Sequence, residues 1–110
     1  MAEAMEISVE ALAERLRSGE PTLLLDVREP WEHEIARLPG SVLLPLGELA
    51  ERVEELAVDE GMLVVVYCHH GIRSLGGAAI LRRAGIERAV SLAGGIEAWS
   101  QRIDPSIPRY

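Results

Sequence analysis

The chain contains no lysine and no asparagine, and only one cysteine and one glutamine stand among its 110 residues. Without a second cysteine an intramolecular disulfide is excluded, and MAEAMEISVEAL has neither the basic block nor the apolar block of a secretory signal. Long apolar runs are missing too. The longest, MLVVVYC at 62–68, falls far short of the roughly 20 residues that span a bilayer. These absences point to a reducing, cytoplasmic setting. All 11 basic residues are arginine, against 18 acidic ones, so the formal charge is −7. Such a surface repels phosphate backbones and anionic membranes, and neither nucleic acid nor membrane is expected as a partner. The scarcity of amide side chains is a compositional bias from which no function follows.

What is present is the composition of an ordinary globular domain, 48% hydrophobic and 26% charged, at a length that suits one domain rather than two. Ser8 is placed to cap a helix with Val9, Leu12, Ala13 and Leu16 on one face, ending near Gly19. TLLLDV reads as a strand buried on both faces and ending at Asp26, REPWEHEIARLPG as a loop, and SVLLPL as a second strand. Leu46, Leu49, Ala50 and Val53 repeat helical spacing, with Glu51, Arg52, Glu54 and Glu55 turned outward. MLVVVYC is the most apolar strand. Ser74 then caps a helix burying Gly77, Ile80, Leu81 and Ala84, which Gly85 stops. RAVSL, a Gly94-Gly95 turn and a helix carrying Ile96 and Trp99 complete the chain. Continuous apolar strands alternating with amphipathic helices predict an α/β fold: an open parallel sheet of about five strands with helices on both faces. Ligands of such sheets bind beyond the carboxyl ends of the strands, which is where Cys68 falls.

Three readings of that cysteine stand beside one another. A lone thiol is often a small buried hydrophobe. Cysteine and histidine also bind zinc, but Cys68, His69 and His70 are consecutive and His33 is distant, a poor ligand spacing, so no metal is expected. The third reading is a nucleophile. The thiol ends a strand just before a helix N-terminus, where inward amides and partial positive charge favour thiolate over thiol, and Gly71 lets the loop curl. Arg73 would help stabilise an anion there. Four residues separate Cys68 from Arg73, one fewer than in the Cys-x5-Arg loop of cysteine phosphatases, so the loop suits one extra sulfur better than a phosphoryl group.

LLLDVREPWE, LPGSVLLPL, VVVYCHHGIRS and SLAGGIEAW, in this order from about residue 5 to 103, resemble the motifs of a single-domain rhodanese, a sulfurtransferase family. The CHHGIRS loop and the tail IDPSIPRY are most similar to the rhodanese domains of adenylyltransferase-sulfurtransferase proteins. The resemblance implies a rhodanese-like fold over 1–110 with terminal arms at 1–4 and 104–110. It implies a thiosulfate sulfurtransferase that carries sulfane sulfur as a Cys68 persulfide and needs no cofactor. His69, His70, Gly71, Ile72, Arg73 and Ser74 would form the substrate-binding loop, with Asp26 and Arg28 as structural support nearby. Implied partners are a small anionic donor such as thiosulfate and an acceptor that is a ubiquitin-like sulfur-carrier protein or of thioredoxin type. Rival readings are a cysteine phosphatase or arsenate reductase, and a non-catalytic interaction module. The chain departs from the family pattern at Ala36-Arg37, where many relatives carry Gly-His, and at His33, where an aromatic is common.

Overall fold

The computed structural model describes residues 4–110. Five strands, β1 (Glu6–Ile7), β2 (Thr22–Asp26), β3 (Val42–Leu43), β4 (Leu63–Tyr67) and β5 (Ala89–Leu92), form one sheet in the order β1-β5-β4-β2-β3, every pair parallel. Four helices connect them, α1 (Val9–Arg17), α2 (Pro30–Ile35), α3 (Leu46–Arg52, followed by a 3-10 turn over Val53–Glu55) and α4 (Arg73–Arg83), and α5 (Gly95–Arg102) follows β5. No helix among the described residues is long and apolar enough to cross a membrane.

Central β4 is buried on both faces, as its unbroken apolar sequence requires. Side chains alternate across the sheet and divide the core in two. Leu24, Val65, Tyr67, Val90 and Leu92 pack with Val9 and Leu12 of α1 and Ile96 and Trp99 of α5. Leu25, Val64, Val66 and Ala89 pack with Leu49 of α3 and with Ala78 and Leu81 of α4. Helices therefore cover both faces.

Ser8 caps α1 through the Ala11 amide as its position suggests, but Leu16 lies beyond the buried stripe and is exposed. Ala50 and Ala84 are exposed as well, so α3 and α4 bury narrower faces than their spacing implied. Ser74 does not cap α4: the helix begins one residue earlier, with Ile72 in the cap position. The SVLLPL strand is reduced to Val42–Leu43 at the sheet edge, because Pro45 has no N–H to give a ladder and instead opens α3. Two elements escape the periodicity altogether. Two-residue β1 is too short to carry a pattern. The six-residue α2 sits in the supposed loop, started by Pro30 in the first turn and by Glu32, which reaches back to the Glu29 amide.

The amino-terminal arm expected at 1–4 lies, apart from Ala4, outside the described residues. The tail at 104–110 is held against the domain: Ile107 is buried, its carbonyl accepts the Ser100 hydroxyl at 2.6 Å, and Arg109 pairs with Glu97.

Candidate active site

Strand β4 delivers Cys68 to the carboxyl edge of the sheet, on the same face as Val64 and Val66, and only 1% of it is exposed. Its location is that of a core residue; its surroundings are not. The amides of Gly71 and Ser74 donate to Sγ at 3.2 and 3.3 Å, and the Ser74 hydroxyl lies 3.4 Å away. Helix α4 has no side chain capping its first turn, so the sulfur takes the place of a cap acceptor at the positive end of an eleven-residue helix. Ser74 is fixed in turn by the Ser91 hydroxyl of β5 at 2.7 Å. The expected cradle is thus narrower at the thiol than the whole loop. Of its amides, those of Gly71 and Ser74 reach Sγ, while those of His69, His70, Ile72 and Arg73 are not among its hydrogen-bond partners.

The loop's other side is held by α5. Ile96 and Glu97 donate their amides to the carbonyls of Cys68 and His69 at 2.9 and 3.1 Å. This close approach explains the paired glycines. A Cβ on Gly95, at φ +62°, would fall 2.4–2.6 Å from the backbone of Cys68 and His69. Gly71 has φ +96°, and a Cβ there would meet the Gly94 nitrogen at 3.0 Å.

Arg73 is not the open cation that its spacing suggested. Its guanidinium holds both oxygens of the buried Glu32 carboxylate, at 2.8 and 3.0 Å. Arg73 is the main reason the Glu32 carboxyl is held down at about 2, with the Glu29 amide and the Tyr110 hydroxyl adding to it against the effect of burial. Glu32 was missed from sequence. Its signal was the Glu-Pro-x-Glu helix start in EPWE, which brings a carboxylate back onto its own first turn.

Asp26 and Arg28 form a fully buried pair. Arg28 Nε and Nη2 take the two Asp26 oxygens at 2.8 and 2.7 Å, and Arg28 also donates to the Ala36 carbonyl and the Tyr110 hydroxyl. Burial opposes the Arg28 charge, but the hydrogen bonds it donates to Asp26 and Tyr110 outweigh this and raise its pKa. Neither Asp26 nor Arg28 hydrogen-bonds Cys68. His33 sends Nδ1 to Asp26 Oδ2 at 2.8 Å, a polar role that an aromatic hydrocarbon there could not take. Ala36 is extended, at φ −158°, so the chain needs no glycine at that position.

His69 is sandwiched between His70 and Tyr110, with ring centroids 4.0 Å from each. Burial, and then the neighbouring His70, push its pKa down despite Glu97. Its Nε2 is buried without a hydrogen-bond partner, 3.9 Å from Glu97 Oε1. His70 is exposed, as is Ile72. No three His, Cys, Asp or Glu side chains converge as a metal site among the described residues.

Comparisons with known proteins agree with this architecture. The "Probable adenylyltransferase/sulfurtransferase MoeZ" of Mycobacterium tuberculosis is 36% identical over 110 residues, covering 99% of this chain and 28% of that protein. A protein of Allochromatium vinosum named "Sulfurtransferase" is 38% identical over 102 residues, covering 93% of this chain and 94% of that one. The solved structure of a rhodanese-related protein from Thermoplasma volcanium superposes with a TM-score of 0.81 at 29% identity, covering 97% of this chain and 100% of that one. The chain spans about half or less of the length of the first curated relatives it matches. The model of the rhodanese-like domain matches residues 8–102, and with this extent of likeness the chain belongs to the rhodanese-like family.

Proposed function

We propose that the chain is a sulfurtransferase that accepts sulfane sulfur on Cys68 and passes it on. The observation that carries this reading is the pair of amides, Gly71 N–H and Ser74 N–H, directed at a sulfur that caps a helix. The Cys68 thiolate attacks the outer sulfur of a donor such as thiosulfate. A new S–S bond forms while the donor's own S–S bond breaks, and its electron pair leaves on sulfite. An acceptor thiolate or other thiophile then takes the outer sulfur, and the electron pair of that bond returns to Cys68. The amides of Gly71 and Ser74 are preset on Sγ, and the outer sulfur of the persulfide stands about 2.05 Å beyond it. Preset donors of this kind stabilise developing charge without reorganising.

Arg73 contributes to anion attraction only the charge that Glu32 leaves it, which favours a donor of low charge density or one presented by another protein. Exposed Trp31 and Ile35 on α2, and Ile72 and Leu75 around the start of α4, supply an apolar surface for such a donor or acceptor. The likeness to MoeZ, together with the match to the "Putative sulfur carrier protein YrkF" of Bacillus subtilis, supports a sulfur-carrier protein as acceptor. The four-residue gap between Cys68 and Arg73 argues against phosphatase chemistry.

Intact-mass spectrometry after incubation with thiosulfate tests the reading. One added sulfur is expected on the wild type and none on Cys68→Ser. No addition to the wild type with thiosulfate or with an organic persulfide, or equal addition to the variant, would sink it.

A further inference from the structure

We propose that Tyr110 is a positioning residue of the active loop: its hydroxyl, shared between Arg28 and Glu32, sets the orientation in which Glu32 holds the Arg73 guanidinium. This rests on the sulfur-transfer reading for its kinetic consequence, though not for its geometry.

The tail arrives at this place already anchored. Ile103 and Asp104 donate to the Trp99 carbonyl, Ile107 is buried against the core, and Arg109 is tied to Glu97. Pro105 and Pro108 restrict the backbone between these anchors. The Tyr110 ring then lies nearly parallel on His69, 10° from coplanar, and meets Trp31 edge-on at 6.1 Å. Its hydroxyl stands 2.7 Å from Arg28 Nη1 and 2.7 Å from Glu32 Oε2. A guanidinium can only donate, so the hydroxyl accepts from Arg28 and its single proton points to Glu32.

That proton completes the Glu32 carboxylate. Oε1 accepts from the Glu29 amide and Arg73 Nη1, and Oε2 from Arg73 Nη2 and Tyr110. A carboxylate has about four good acceptor directions, and all are used. With the phenol in place the carboxylate has one orientation, and so has the guanidinium that grips it two-handed. Burial raises the Tyr110 phenol to about 12, which keeps this proton in place throughout the neutral range. Without the hydroxyl, Oε2 keeps only its bond from Arg73 Nη2, and Arg28 Nη1 loses its acceptor. Arg73 is then neutralised more completely and offers less to an anionic donor.

Tyr110→Phe isolates the hydroxyl, because the ring and its stack on His69 remain. With thiosulfate as donor, KM is expected to rise roughly five- to tenfold and kcat to fall much less, as fits the loss of one charge-assisted hydrogen bond. An independent readout is the Nε–Hε signal of Arg73 in 15N NMR, assigned by its disappearance in Arg73→Lys. It should be sharp in the wild type and shifted or broadened in Tyr110→Phe, a change that ring packing alone does not cause. An unchanged Arg73 signal with unchanged KM in Tyr110→Phe overturns the proposal, even if Tyr110→Ala loses activity or melts early. If the wild type takes up no sulfur, the sulfur-transfer reading fails, and the Arg73 signal still decides this one.

Discussion

The cradle around Cys68 and the charge network behind Arg73 adjoin one another but are assembled from very different stretches of chain. Cys68, Gly71 and Ser74 meet across no more than six positions, within one strand-to-helix turn. The network is assembled from afar: Tyr110 reaches Arg28 across 82 positions and Glu32 across 78, and Arg73 reaches Glu32 across 41. The first follows from backbone geometry that a short motif can encode. The Tyr110 links of the second form only once the tail has docked, so they tie the tail to the fold as well as orient one side chain.

Arg28→Met should give the largest effect, because it removes the hub of the distant network and leaves Asp26 buried with its main cationic partner gone. A loss of about 3–5 kcal/mol is expected from urea unfolding, the usual penalty for stranding one partner of a buried pair. A loss below about 1 kcal/mol would mean that the network is peripheral, since surface pairs contribute no more than that. Next comes Gly95→Ala, which strikes the local cradle. A left-handed backbone costs an alanine about 1–2 kcal/mol, and the overlap with the Cys68 and His69 carbonyls adds to it. Stability and the rate of sulfur loading should both fall, whereas alanine at Gly76, which meets nothing within 4 Å, should leave loading unchanged.

The smallest effect is pH-dependent. The Glu32 carboxyl is depressed from 4.5 to about 2, so the folded state gains stability from it above about pH 4.5 and loses that gain as pH falls through about 2. Because Arg73 is partly exposed, the contribution is discounted to about 1–2 kcal/mol. In Glu32→Gln this acid-side increment should vanish, leaving a flatter stability curve between pH 4.5 and 2. An unchanged slope would show that the Arg73 pair does not couple to folding.

The contrast between near and far contacts also explains what could be read from sequence. The β2 and β4 cores, α1 with its Ser8 cap, and the place of Cys68 beyond β4 are all visible in residue patterns, because apolar runs and caps are local signals. The close packing of Gly95 against the loop is visible only as a Gly-Gly turn, since the neighbour that forbids a side chain is 27 residues away in Cys68. Short α2 was hidden, as six residues hold too little periodicity, although EPWE carried its start signal. The Arg73 partner went unseen for that reason. Tyr110 had no local signal at all; nothing in IDPSIPRY says that a phenol will lie on His69.

The sulfur that caps α4 ties chemistry to conformation. A thiol, a thiolate and a persulfide are unequal acceptors for the Ser74 amide, so the first turn of that helix is held with a different strength in each. Loaded and empty protein should therefore melt at different temperatures, and whatever binds the looser form best would sense whether cargo is aboard.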